Sequence, residues 1–191
     1  LRRWKHNLLR LFARCRLYVD EAHRRFKPRI TVTRNAPRAA NRYQNAIVVS
    51  VIVSEKGRGA DGDLMAWRSV DGGKTWGEGR RVNDVAGSAR EGLHAMAAGG
   101  EAILFATWLD LRSEGTKVFG AVSRDGGVTW AENRPVYESP SGSVRECCHP
   151  TAYVDERGRM FVMFRNWLLE TVTCTLFDPT TVAARLVLLG N

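Results

Sequence analysis

The octet SVDGGKTW, Ser69 to Trp76, returns as SRDGGVTW, Ser123 to Trp130, with six of its eight letters unchanged and a spacing of 54 residues. A chain that spells one turn twice at that interval builds one supersecondary unit more than once. The repeat extends beyond the octet. REGLH (90–94) returns as RECCH (145–149), 55 residues later, and LFATWLD (104–110) has its counterpart in MFVMFRN (160–166), 56 later. The drift from 54 to 56 requires only one or two inserted loop residues.

Between these motifs lie short runs rich in Val, Ile, Phe and Trp: AIVVSVIV (46–53), DLMAWRS (63–69), HAMAA (94–98), AILFATWL (102–109), KVFGAVS (117–123), PTAYV (150–154) and MFVMF (160–164). Their connectors, GRGADG, DGGK, AGGE, SEGT, DGGV and DERG, carry turn chemistry. The pattern is all-β, with the apolar runs as strands. Four short antiparallel strands in about 54 residues match one blade of a β-propeller. The chain is expected to hold about three blades, near 34–89, 90–144 and 145–191: most of one, a full second, and the first half of a third. A third octet would fall at 177–184, where FDPTTVAA has lost the signature.

The first 33 residues have a different texture. Trp4, Leu8, Leu11, Cys15, Val19, Ala22 and Phe26 follow helical spacing, with arginines on the other face, until Pro28. Residues 1–33 are read as a basic amphipathic helix and linker, and 34–191 as a partial propeller. The net charge of +9 belongs to the first segment: residues 1–34 hold 11 Lys/Arg against Asp20 and Glu21, and the remaining 18 basic and 18 acidic residues cancel. A neighbouring domain or an anionic surface is the expected partner of the helix, and no nucleic acid is expected for the propeller. Of the four cysteines, Cys147 and Cys148 are vicinal and no CxxC pair exists, so neither a metal nor another cofactor is expected. The chain begins with Leu1 and carries no leader pattern, as expected of a fragment of a longer chain.

Each letter of the octet has a turn-forming use. Asp accepts backbone N–H bonds, Gly supplies positive φ, Ser and Thr add local side-chain bonds, and Trp plugs the hairpin. Both copies fit Ser-x-Asp-x-Gly-x-Thr-Trp at every fixed position: Ser69, Asp71, Gly73, Thr75 and Trp76, then Ser123, Asp125, Gly127, Thr129 and Trp130. This is the Asp-box, and the chain resembles the sialidase (neuraminidase) superfamily, also called bacterial neuraminidase repeat proteins, over about residues 46–168. The resemblance implies a sialidase-like β-propeller, six-bladed when complete. A secreted, periplasmic or cell-surface setting fits the family. It also implies a sugar site on the face opposite the Asp-boxes. In an up-and-down blade that face carries the second-to-third strand loops and the connections between blades.

The polar repeats fall on those connections. Arg90, Glu91 and His94 enter one blade, and Arg145, Glu146 and His149 enter the next. Asp110 and Arg112 follow one second strand, and Arg165 and Asn166 follow another. Arginine forks suit a carboxylate, and a carboxylic acid can protonate a glycosidic oxygen. By resemblance, Arg112, Arg165, Arg90 and Arg145 are the candidates for an acidic sugar, with Asp110 as acid/base. The implied activity is retaining hydrolysis of terminal sialic acid or a related acidic sugar. The alternative is a non-catalytic propeller that binds glycan or protein through the same face. The family's Tyr–Glu nucleophile pair is not identifiable, since Tyr137 and Tyr153 fall within strands, and FKPRI (26–30) has the letters of the Phe/Tyr-Arg-Ile-Pro motif in another order. A structural reading stands beside these: Glu91–Arg145 or Asp110–Arg165 as ion pairs between blades, and the two histidines as caps on neighbouring backbone.

Overall fold

The computed structural model describes residues 29–32, 46–55, 60–99, 102–144, 149–165, 172–179 and 185–188. The helix expected over residues 1–27 lies outside this set. Every regular element among the described residues is a strand.

The strands form three four-stranded antiparallel meanders. Sheet I contains β1 (Arg29–Val32), β2 (Ile47–Val53), β3 (Asp63–Ser69) and β4 (Arg80–Arg81). Sheet II contains β5 (Ala89–Gly99), β6 (Ile103–Asp110), β7 (Lys117–Ser123) and β8 (Arg134–Tyr137). Sheet III contains β9 (Thr151–Val154), β10 (Met160–Arg165), β11 (Val172–Phe177) and β12 (Arg185–Leu188). The first sheet therefore has its own inner strand, β1, immediately after Pro28. The third is a complete meander where the sequence pattern marked only its first half. Without a third octet, the run after β10 carried no signal to count.

Strand alternation assigns each sheet two faces, and the faces stack in series. Val48, Ile52, Leu64 and Ala66 of sheet I meet Leu104, Ala106, Trp108 and Ala121 of sheet II. The opposite face of sheet II, with Phe105, Leu109, Val118, Val122 and Val136, meets Val154, Met160, Val162, Phe164 and Phe177 of sheet III. Phe105 stacks on Phe177 at 4.9 Å between centroids, and Tyr137 packs on Phe164 at 5.0 Å. Two glycines permit this closeness: a Cβ on Gly120 would lie 2.7 Å from the Phe105 ring, and one on Gly99 would lie 2.6 Å from Val154. The far face of sheet III leaves Tyr153 60% and Met163 39% exposed.

The two ends of the sheets are distinct. The Asp-boxes occupy the third-to-fourth strand turns, after Ser69 of β3 and after Ser123 of β7. Ala89, Asp110 and Lys117 lie together at the other end of sheet II. There the connections are stitched to one another. Gly62 and Ala89 exchange two backbone bonds, Leu111 N–H donates to the Ser88 carbonyl at 2.8 Å, and Val144 N–H donates to the Thr116 carbonyl at 2.8 Å.

Candidate functional site

The end opposite the Asp-boxes has one local irregularity that displays polar groups. Ala89 pairs with Asp110 and His94 with Trp108, so Arg90 to Leu93 bulge from β5 opposite Leu109 alone. Gly92 takes φ of 70° there, with open space where a side chain would be. Arg90 is half-buried and Glu91 exposed, and Glu91 N–H donates to Asp61 Oδ1 at 3.2 Å. Arg165 is exposed at the end of β10. His149 is half-buried just before β9. Arg145, Glu146 and Asn166 lie outside the described residues.

His94 is placed differently from Arg90 and Glu91. It is 1% exposed, between sheets I and II, with Nε2 3.4 Å from the Ser50 carbonyl oxygen. Its position in the strand turns it inward, where it meets neighbouring backbone.

Asp110 and Arg112 form a closed unit. Asp110 is wholly buried. Its Oδ1 accepts from Arg112 N–H at 2.9 Å and Arg112 Nε at 2.8 Å. Its Oδ2 accepts from Trp108 Nε1 at 2.7 Å, Ser88 Oγ at 2.9 Å and Arg112 Nη2 at 3.0 Å. Arg112 in turn reaches Asp84 Oδ1 with Nη1 at 2.7 Å and Asn133 Oδ1 with Nη2 at 3.0 Å, and its Cζ stands 4.0 Å over the Phe119 ring. Burial pulls the Arg112 guanidinium down, but the bonds and charges of Asp110 and Asp84 outweigh it and hold the group above its ordinary value. The ion pairs here join Arg112 to Asp110 and to Asp84 of the connection between sheets I and II. The partner of Asp110 is Arg112 rather than Arg165. Both oxygens of Asp110 are buried and occupied by protein donors, so the carboxylate presents no open edge to a glycosidic oxygen.

The Asp-box carboxylates are also fully engaged. Asp71 accepts from Ser69 Oγ, Lys74 N–H, Thr75 N–H and Thr75 Oγ1 at 2.7–3.0 Å. The Thr75 backbone bond leads the effects that hold this carboxyl far below its ordinary range. Asp125 has the same four donors in Ser123, Val128 and Thr129. Burial pushes Asp125 up, yet those bonds outweigh it, so it too sits below the ordinary value. Gly72, Gly73, Gly126 and Gly127 all take positive φ, between 69° and 90°. Trp76 Nε1 donates to the Gly73 carbonyl at 3.2 Å, while Trp130 packs against the core between sheets I and II.

A model of the BNR repeat-like domain matches residues 21–176. The chain belongs to the BNR repeat-like domain family. Among solved structures, the Hadza microbial sialidase Hz136 is similar at 14% identity and a TM-score of 0.52, over 87% of this chain and 38% of that one. The NanB sialidase from Streptococcus pneumoniae aligns at 13% identity and a TM-score of 0.46, over 74% of this chain and 21% of that one. No curated protein matches the chain significantly. The family match and the likeness to Hz136 show the sialidase-like fold, and the chain spans well under half the length of the sialidases it matches.

Within this repeat-like domain the sequence motifs missed the partners that complete the unit around Asp110. Asp84 and Ser88 belong to the connection after β4, and Asn133 precedes β8. Asn133 Oδ1 accepts from Asp84 N–H at 2.7 Å, and its Nδ2 donates to the Val82 carbonyl at 2.9 Å. One signal for Ser88 was available: GSAREGLH (87–94) and GSVRECCH (142–149) extend the polar repeat upstream by three residues. Asp84 and Asn133 have no such echo.

Proposed function

We propose that this chain is the acidic-sugar-binding sector of a sialidase-like propeller, with terminal sialic acid or a related acidic sugar as its ligand. The observation that carries the reading is the Arg90–Leu93 bulge, which sets half-buried Arg90 and exposed Glu91 at the end of the sheets that also bears exposed Arg165 and half-buried His149. Guanidinium groups recognise a carboxylate through forked, charge-assisted bonds. Binding is preferred to hydrolysis because the carboxyl assigned to acid catalysis, Asp110, is enclosed by five donors. Hydrolysis is the second reading. It is favoured by Glu91, an exposed carboxyl on the bulge, which would have to serve as the acid.

Titration of the protein with 3′-sialyllactose and with lactose, followed by saturation-transfer NMR, tests the proposal. The sialoside is expected to bind and lactose to bind at least tenfold more weakly. Arg90→Ala and Arg165→Ala should each weaken sialoside binding by about tenfold, about 1.4 kcal/mol. Equal binding of the two sugars, or of neither, sinks the proposal. Turnover of a fluorogenic sialoside that is lost in Glu91→Gln would establish the second reading in its place.

A further inference from the structure

Arg112 draws together parts of the chain that are far apart in sequence. Its fork takes both oxygens of Asp110 at the end of β6, Asp84 in the connection from sheet I, and Asn133 just before β8. Its Cζ stands over the Phe119 ring of β7. Asp110 extends the network to Ser88 through Oδ2, and Ala89, the next residue, pairs with Asp110 across the ladder. Ala89 is the root of the Arg90–Leu93 bulge, and Gly62 clamps it from the sheet I side. The route from guanidinium to bulge is therefore continuous and short.

We infer that Arg112 is a positioning residue: its fork fixes the connection 82–88 and the root of the bulge, and so sets the geometry of the mouth. The inference rests on the acidic-sugar reading only for its consequence in binding. The chemistry requires arginine. Only a planar guanidinium offers two parallel donors, Nε and Nη2, to one carboxylate while Nη1 serves Asp84 and the second N–H of Nη2 serves Asn133. A lysine ammonium is a single point of charge that must choose among them. Asp110, wholly buried, would then be left with unmet acceptor oxygens, a state that a protein relieves by moving the loop that carries it.

Hydrogen exchange on the whole protein, wild type against Arg112→Lys, decides the matter. The amides to follow are those of Ala89, Glu91 and Leu111, each bonded at this end of the sheets. Arg112→Lys is expected to speed their exchange tenfold or more and leave the 69–76 and 123–130 turns unchanged. It should also weaken 3′-sialyllactose by about tenfold without touching Arg90 or Arg165. Unchanged protection at the three amides overturns the inference. So does a uniform rise across all segments, which would mean general destabilisation. Should Arg112→Lys not fold, Asp84→Ala removes one arm at a site 42% exposed and is expected to raise exchange about threefold at the same amides. Failure of the wild type to bind sialyllactose would defeat the sugar reading alone, because the exchange measurement is independent of ligand.

Discussion

Replacement of Asp125 by alanine tests whether the repeated turn is scaffold. The carboxylate receives four donor groups: Ser123 Oγ at 2.7 Å, Val128 N–H at 3.0 Å, Thr129 N–H at 2.9 and 3.0 Å, and Thr129 Oγ1 at 2.6 Å. A net bond to a charged group is worth about 1.5–3 kcal/mol where water cannot substitute. Val128 and Thr129 are exposed, so water recovers most of theirs, and the loss should total about 2 kcal/mol. This turn also carries load between sheets. Arg68 Nε of sheet I donates to the Gly126 carbonyl at 2.9 Å, Gly126 N–H donates to the Ala102 carbonyl, and Gly127 lies against Val48 and Leu104. Asp125→Ala should therefore cost more than Asp71→Ala, whose Gly72 is exposed where Gly126 is buried. Urea unfolding followed by tryptophan fluorescence measures both. About 2 kcal/mol corresponds to a melting shift of about 4–8 °C for a chain of this size. A change below about 0.5 kcal/mol in Asp125→Ala, or a larger loss in Asp71→Ala, would refute the argument.

Two further outcomes follow from the same geometry. Burial pushes Asp155, in the turn after β9, up, but the bonds it accepts from Arg159 Nε, Arg159 N–H and Arg157 N–H outweigh it; Asp71, Asp125 and Asp155 thus all sit below the ordinary carboxylate value of 3.8, and each binds its proton less readily folded than unfolded. Their contribution is complete above that value and is lost as pH falls through the folded values, so urea midpoints should drop steeply below about pH 4 and less steeply in Asp125→Asn. Gly120→Ala places a Cβ 2.7 Å from the Phe105 ring and 3.2 Å from Val136, and should cost about 1–3 kcal/mol by thermal melting, with the shift traceable to the interface of sheets II and III.

The repeat fixed more of this fold than composition could. KVFGAVS and DLMAWRS coincide with β7 and β3 end for end, because their alternation and bounding turns are local properties of the chain. The octet also predicted which end of the sheets is which, since its bonds close within four residues. The third sheet was only half legible, because β11 and β12 follow no repeated turn and form by pairing with β10 and with each other.

The site divides along the same line. Sequence alone determined that Arg90, Glu91, Asp110, Arg112, His149 and Arg165 belong to strand ends opposite the Asp-boxes, because strand order in a meander alternates ends. Tertiary structure decided what each residue does there. It set Arg90 and Glu91 on a bulge, turned His94 into the gap between two sheets, and closed Asp110 and Arg112 on Asp84, Ser88 and Asn133. Those last contacts join residues 21 to 28 positions apart. Such contacts depend on how two twisted sheets stack, and no periodicity in the chain records that.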